Sequence, residues 1–255
     1  MKIGVFDSGV GGLTVLKAIR DRYREVDFVY LGDTARVPYG NKSAQRVISY
    51  SLECAEFLMG ESIDLLVVAC NSASSYALEA LRESLSMPVF GVIGPGVNRA
   101  LEVTKGKVGV IGTRATVSSG VYKRFLQEAG VEVYQRACPL FVPLVEEGMV
   151  EGKIADALVE HYLRDLKELG VDTLILACTH YPLLKPLIER YMGDGIKVVD
   201  SATATALEIE PFVRREGLSS LELYFTDISP NLENLIELIL GEVKKPKLVS
   251  LPCKV

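Results

Sequence analysis

Two cysteines stand in similar sequence contexts. Cys70 in LLVVACNSAS and Cys178 in LILACTHYP each follow an apolar run and precede a polar turn that carries hydroxyl groups. A cysteine at the junction of a strand and a helix is predicted to have a thiol pKa below its ordinary value of about 8.5, because a helix N-terminus stabilises the thiolate. Core packing is the commoner role of a single cysteine, but two cysteines in repeated contexts favour a chemical role.

Two thiols on opposite sides of a ligand can invert a carbon centre. One thiolate takes a proton from one face while the other group, as a thiol, gives a proton to the opposite face, and the roles exchange in the reverse direction. The α-proton of an amino acid is a weak acid, so such a site must stabilise the developing carbanion and exclude water. Asp7, Glu147 and His180 are candidates to assist the thiols.

A glycine-rich run, Asp7-Ser-Gly-Val-Gly-Gly12, follows the first predicted strand. It does not fit the dinucleotide-binding fingerprint, because Thr14 stands where that pattern requires Gly or Ala, and no Gly-Lys-Ser/Thr follows to make a phosphate-binding loop. The run predicts a tight turn at a helix N-terminus whose free amides could hold a carboxylate.

The elements that must position these residues alternate between short apolar runs and longer segments of helical period. This pattern is typical of an α/β fold with mainly parallel sheets flanked by helices. The predicted strands are Lys2–Phe6, Asp27–Gly32, Leu65–Ala69, Pro88–Val92, Lys107–Ile111, Glu132–Gln135, Thr173–Ala177, Lys197–Val199 and Leu221–Phe225. Most are apolar throughout, so we expect them to be buried on both faces, with the binding site at their carboxyl ends.

The repeated cysteine passages indicate two similar α/β units built on one plan. The predicted domains are residues 1–95 together with 206–255, and residues 96–205, with the active site in the cleft between them. Asp33 and Thr113, which also follow predicted strands, are interpreted individually as helix caps. Cys54, Cys138 and Cys253 are interpreted as packing or terminal residues, and His161 as solvent-facing.

Composition limits the classes of function. The net charge of −5 disfavours a nucleic-acid partner, and no apolar run is long enough for a membrane span. The five cysteines show no Cys-x-x-Cys, and with two histidines they make a disulfide framework or metal cage unexpected. The sequence therefore predicts a cytoplasmic protein with reduced thiols, no cofactor, no metal and a small-molecule substrate.

Several blocks together resemble the glutamate racemases of the cofactor-independent aspartate/glutamate racemase family. The blocks are the following: Asp7–Gly12, Gly32–Gly40 (GDTARVPYG), Ala69–Ser72 (ACNS), Gly112–Thr116 (GTRAT), Cys138–Gly148 (CPLFVPLVEEG), Cys178–Pro182 (CTHYP) and Asp200–Ala202 (DSA). Two departures are Ser72, where Thr is usual, and Ala177, where Gly is common.

The resemblance implies interconversion of L- and D-glutamate for peptidoglycan synthesis, without a cofactor, by a homodimer. It implies that Cys70 deprotonates the D form and Cys178 the L form, assisted by Asp7, Glu147 and His180. Asp7 and His180 also count among the implied substrate-binding residues, and the others are Ser8, Tyr39, Gly40, Asn71, Ser72, Thr113, Thr116 and Thr179.

Three alternatives stay open at this point. A racemase of the same fold acting on aspartate would share the thiols, because sequence fixes them better than it fixes the length of the pocket. A zinc enzyme could use Cys70, Cys178 and His180, since two cysteines and a histidine with an open position form a known catalytic set. A non-catalytic amino-acid-binding module is the third alternative, since two-lobed α/β proteins also capture ligands.

Overall fold

The computed structural model describes residues 1–251, so Cys253 lies outside the described residues. Within that range the strands are β1 (Lys2–Asp7), β2 (Asp27–Gly32), β3 (Leu65–Val68), β4 (Val89–Gly91), β5 (Lys107–Gly112), β6 (Glu132–Ala137), β7 (Thr173–Ala177), β8 (Lys197–Asp200), β9 (Leu221–Phe225) and β10 (Lys247–Leu248). All nine predicted strands are confirmed. The short strand β10 was not predicted.

The helices connect the strands and cover the sheets. They are α1 (Leu13–Arg22), α2 (Ala44–Gly60), α3 (Asn71–Tyr76), α4 (Leu78–Ser84), α5 (Ile93–Val103), α6 (Arg114–Ser119), α7 (Val121–Glu128), α8 (Phe141–Glu146), α9 (Lys153–Glu168), α10 (Lys185–Met192), α11 (Ser201–Glu208) and α12 (Leu232–Leu240). Short 3-10 segments occur at Thr34–Arg36, Tyr39–Asn41, Tyr181–Leu184 and Glu210–Phe212. None of the helices within residues 1–251 combines the length and apolarity needed to cross a membrane.

Two parallel sheets repeat one strand order. The first runs β10-β9-β2-β1-β3-β4 and the second β6-β5-β7-β8, and the pairings between their described strands are parallel. The segment β2-β1-β3-β4 therefore corresponds to β6-β5-β7-β8. This repetition confirms the prediction of two similar α/β units. It also places β3, which leads to Cys70, and β7, which leads to Cys178, at equivalent positions.

The apolar runs form strands that are buried on both faces. Along β3 every side chain is buried, with Leu65 and Val67 packing toward α1 and α12, and Leu66 and Val68 packing toward α2. Successive side chains of a strand point to opposite faces, so a strand covered on both sides must be apolar at every position. The uninterrupted apolar pattern in the sequence thus reflects helices on both sides of the sheet.

Helices α5 and α11 connect the two units. The α5 residues Ile93 and Val97 belong to a core with strands β5 and β7 of the second sheet, whereas Ala202 and Ala206 of α11 belong to the core of the first sheet. The predicted domain limits, after residues 95 and 205, fall inside these two helices, and they stay predictions.

Candidate active site

Both candidate thiols lie at the carboxyl ends of their strands and are buried. Cys70 is the N-cap of α3. Cys178 instead precedes a turn and the 3-10 segment Tyr181–Leu184, which has proline at its start. The predicted α-helix start is therefore found at Cys70 and not at Cys178, where α10 begins only at Lys185.

One narrow cavity brings the two cysteines together. Its volume is about 20 Å³, little more than one water molecule requires. Three apolar residues, Val37, Pro38 and Val142, contribute to its lining. The remaining lining residues are all predicted site residues: Ser8, Tyr39, Gly40, Cys70, Asn71, Ser72, Thr113, Cys178, Thr179 and His180.

The Cys70 thiol lies beside a hydroxyl and a carboxylate. Its Sγ accepts a hydrogen bond from the Ala73 amide at 3.4 Å and donates one to Ser8 Oγ at 3.5 Å. Burial, followed by the negative charge of Asp7, raises the pKa of Cys70 to about 12. The lowered pKa expected from the helix N-terminus is therefore wrong for Cys70, because removing the thiolate from water outweighs the stabilisation that the helix provides.

Asp7 is fully buried behind the cavity and joins the two units. The amides of Gly9 and Gly12 hold its carboxylate, and the Thr179 hydroxyl donates to Oδ1 at 3.3 Å. Burial raises the pKa of Asp7, and the charge of His180 acts in the opposite direction. The glycine turn thus binds a carboxylate, as the sequence suggested, but the carboxylate is that of Asp7.

The glycine turn also lets the units approach closely. A Cβ atom on Gly11 would lie 2.5 Å from Nδ1 of His180 and 2.6 Å from Oγ1 of Thr179. Thr14, two residues beyond the turn, donates from its hydroxyl to the Thr179 carbonyl at 3.0 Å. Glycine is therefore required at position 11 because the second unit leaves no room for a side chain.

His180 links Cys178 to a glutamate. Its Nδ1 lies 4.0 Å from Cys178 Sγ and its Nε2 lies 3.0 Å from Glu146 Oε1. Burial lowers the pKa of His180, but the bonds to Cys178 and Glu146 outweigh burial and raise it to about 10. A protonated ring can then donate to both neighbours.

Glu147, the predicted assisting carboxylate, is not brought to this pair. It is exposed at the C-cap of α8, and Glu146 contacts the imidazole instead. Neighbouring residues of a helix differ by about 100° in direction, so only one of the two carboxylates can face His180. Sequence reasoning missed Glu146 because the block VEEG offers two adjacent glutamates without indicating their orientation.

Three hydroxyls form a cluster across the cleft. Ser72 Oγ in the first unit lies 2.9 Å from Thr113 Oγ1 and 3.4 Å from Thr116 Oγ1 in the second unit. Thr113 also caps α6 by accepting from the Thr116 amide at 3.2 Å. The cap interpretation of Thr113 is confirmed, and the same side chain lines the cavity. Ser72, which stands where the resemblance leads one to expect Thr, thus contributes its hydroxyl to hydrogen bonds with both threonines.

Asn71 offers an unused donor. Its Oδ1 accepts from the Tyr122 hydroxyl at 2.6 Å, while the buried Nδ2 has no hydrogen-bond partner among the described residues. Asn71 lines the cavity, so this amide group is available to a bound ligand.

Tyr39 and Gly40 form one wall of the cavity. The Tyr39 hydroxyl donates to buried Asp33, and a Cβ atom on Gly40 would lie 2.6 Å from Cβ of Thr113. Asp33 also accepts from Arg36 at 2.7 Å and from Thr226 at 2.9 Å. Asp33 occupies the N-cap position of the 3-10 segment Thr34–Arg36, as interpreted, but its side chain makes no cap bond and anchors this wall instead.

The remaining candidates lie outside the cavity. Cys54 and Cys138 are fully buried in the cores of the first and second unit, as predicted, and His161 is exposed. Among residues 1–251, no three His, Cys, Asp or Glu side chains are grouped so that they could hold a metal ion.

Comparisons with known proteins show the family to which the chain is similar. The family model described as Asp/Glu/Hydantoin racemase matches residues 3–209. A glutamate racemase of Aquifex aeolicus is 62% identical over 251 residues, which are 98% of each chain. The structure of glutamate racemase from Aquifex pyrophilus superimposes with a TM-score of 0.86 at 60% identity, covering 97% of this chain and 98% of that one.

A second solved structure, glutamate racemase from Francisella tularensis in complex with D-glutamate, has a TM-score of 0.89 at 31% identity. The match covers 98% of this chain and 97% of that chain. Both the family model and the full-length similarity lead to one assignment: the chain belongs to the Asp/Glu/hydantoin racemase family.

Proposed function

We propose that the protein interconverts L- and D-glutamate by proton transfer between two thiols. The observation that carries this proposal is that Cys70 and Cys178, from equivalent positions in the two units, line a single cavity. The glutamate racemases that match almost the whole chain support glutamate as the substrate.

In the L-to-D direction, Cys178 acts as a thiolate. It takes the α-proton of L-glutamate, and the electron pair of the C–H bond stays on the α-carbon, delocalised into the adjacent carboxylate. The Cys70 thiol then gives its proton to the opposite face, which leaves Cys178 as the thiol and Cys70 as the thiolate. D-glutamate reverses these steps.

The charges beside the two thiols favour this starting state. Burial and the Asp7 carboxylate keep Cys70 protonated, with a pKa of about 12. His180, with its pKa raised to about 10 by Cys178 and Glu146 against the effect of burial, places a positive charge beside Cys178. An anion near one sulfur and a cation near the other thus define an acid and a base.

Hydrogen-bond donors in the cavity fit an acidic amino acid. The proposed binding groups that line the cavity are the Asn71 amide and the hydroxyls of Ser8, Ser72, Thr113 and Thr179. The hydroxyls of Ser72, Thr113 and Thr179, which bond to neighbouring side chains in the narrow cavity, would turn toward a carboxylate when the substrate enters. Thr116 is fully buried and supports Ser72 and Thr113 from behind. Donors directed at a carboxylate would also stabilise the charge that develops there when the α-proton leaves. Glu146 takes the assisting role that the sequence assigned to Glu147.

The cavity has to open for glutamate to enter. A volume of about 20 Å³ is far below the roughly 300 Å³ at the lower end of small-ligand pockets. Movement of the units about their connections at α5 and α11 would widen the cleft, and closure would exclude water from the carbanion. We further propose a cytoplasmic, homodimeric enzyme that supplies D-glutamate for peptidoglycan.

Proton exchange with solvent tests this function. The enzyme is incubated with L-glutamate or L-aspartate in deuterium oxide, and the α-proton signal and optical rotation are followed. Racemisation of glutamate with deuterium at the α-carbon is the expected result. Preferential turnover of aspartate would contradict the substrate, absence of exchange would indicate a binding module, and loss of activity on chelation would indicate the zinc alternative.

A further inference from the structure

Tyr122 reaches across the cleft to a residue of the cavity. It lies on α7 in the second unit and is fully buried. Its hydroxyl donates to Oδ1 of Asn71, in α3 of the first unit, at 2.6 Å. Burial raises the pKa of Tyr122 far above its ordinary range, so the phenol remains a neutral donor.

This bond fixes which end of the Asn71 amide faces the ligand. Within the described residues, Asn71 is the one hydrogen-bond partner of the Tyr122 hydroxyl. If the amide were reversed, Nδ2 would donate to Tyr122, and the phenolic proton would be left without an acceptor. The orientation with Oδ1 toward Tyr122 satisfies the phenol and leaves Nδ2 as the unpartnered buried donor.

We propose that Tyr122 is a positioning residue that aims the Asn71 amide donor at a carboxylate of the substrate. The inference rests on the proposed racemase function and on binding of an acidic substrate in the cavity. Because Tyr122 and Asn71 belong to different units, the donor is oriented only when the two units are together. Substrate binding and closure of the cleft are thereby coupled through one hydrogen bond.

The test compares kinetic constants for Tyr122→Phe with those of the unmodified enzyme. The phenylalanine ring fills the same space, but the amide loses the bond that fixes its orientation. We expect KM for both enantiomers to rise about tenfold, the factor that corresponds to one net hydrogen bond. We expect kcat to change less than about threefold, because both thiols and the hydroxyl donors that stabilise the developing charge are untouched.

Tyr76→Phe is the matched control. Its hydroxyl also spans the units, donating to the Ala115 carbonyl at 3.0 Å, but it does not contact Asn71. The Tyr76→Phe variant shows how KM responds to the loss of any one hydrogen bond between the units. We expect its KM to change less than about twofold.

A double-mutant cycle decides whether Tyr122 acts through Asn71. In an Asn71→Ala background, Tyr122→Phe should change KM less than about twofold, because the group that it positions is absent. Equal losses in both backgrounds, an unchanged KM in Tyr122→Phe, or an equal rise in Tyr76→Phe would each overturn the proposal. The unmodified enzyme and Asn71→Ala report separately on the racemase function and on substrate contact.

A structure of the unmodified enzyme with D-glutamate bound gives a second readout if Tyr122→Phe fails to fold. The proposal expects Asn71 Nδ2 within hydrogen-bond distance of a substrate carboxylate and the Tyr122 hydroxyl still bonded to Oδ1. A carboxylate bound without the Asn71 amide would contradict the proposal.

Discussion

The two halves of the active site share a backbone plan but differ in charge. Cys70 and Cys178 follow equivalent strands, β3 and β7, of sheets with the same order. Cys70 has a carboxylate, Asp7, as its charged neighbour, whereas Cys178 has His180, which Glu146 holds at 3.0 Å. The repeat therefore supplies symmetric positions, and the residues beyond the repeat make one thiol the acid and the other the base.

This difference matters because an inverting enzyme needs its two groups in opposite protonation states. Two identical half-sites could share one proton between them, but nothing would fix which thiol carries it before the substrate binds. Asp7 and His180 are placed so that the two halves are unequal before substrate enters. The following predictions test that inequality.

Removing either thiol should have the largest effect. Cys70→Ser and Cys178→Ser are each expected to slow racemisation by about 10³-fold, the size typical of losing a positioned general acid or base. Steady-state rates in both directions provide the measurement. The control is Cys138→Ser, which alters a buried cysteine outside the cavity, and near-normal rates in either site variant would contradict the two-thiol scheme.

A smaller loss of activity is expected from a substitution that displaces His180 and Thr179, the neighbours of Cys178, and leaves both thiols in place. A methyl group on Gly11 would collide with His180 and Thr179, so Gly11→Ala should lower kcat by about 100-fold, as expected for a displacement near 1 Å. At Gly9 a Cβ atom would have an ordinary contact of 3.5 Å with Val37. Gly9→Ala should therefore stay within about threefold, and equal losses in the two variants would argue against a role for the close approach.

The smallest effect is expected from the two neighbouring glutamates. Glu146→Gln keeps an acceptor for His180 but removes the negative charge that helps to raise the pKa of His180, so His180 should lose its proton at lower pH. The L-to-D rate should fall about tenfold and its alkaline limb should move to lower pH. Glu147→Gln, which changes an exposed side chain, should keep the normal pH profile, and the reverse ranking would restore the original assignment of Glu147.

The contact between His180 and Glu146 also predicts how the stability of the protein depends on pH. In the folded protein the pKa of His180 is raised from 6.5 to about 10. The contribution of protonated His180 to the free energy of unfolding is therefore fully present below pH 6.5 and is lost as the pH rises through about 10. Chemical denaturation should therefore show a decline in the free energy of unfolding over this range. The decline should be weaker in Glu146→Gln.

Much of the fold could be predicted from the sequence because local patterns determine it. The apolar runs at Leu65 and Leu174 must be strands buried on both faces, and their repetition indicates two units. Ligands of parallel α/β sheets bind at the carboxyl ends of the strands, which predicts that Cys70, Asn71, Cys178 and His180 belong to one site. The structure places these four residues around one cavity.

The remaining details depend on tertiary contacts that no local pattern encodes. The choice between Glu146 and Glu147 is decided by how α8 packs against His180. The sequence places Asp33 at a helix start, but only the folded structure shows that its carboxylate accepts hydrogen bonds from Arg36 and Tyr39. The pKa of Cys70 is likewise set by burial and by Asp7, which is distant in the chain.

The most direct test of the central claim is enantiomer-selective exchange in deuterium oxide with Cys70→Ala and Cys178→Ala. If the thiols serve opposite faces, Cys70→Ala should still exchange the α-proton of L-glutamate through Cys178 without forming the D isomer. Cys178→Ala should exchange only D-glutamate. Exchange of the same enantiomer by both variants, or inversion at a near-normal rate by either, would contradict the account.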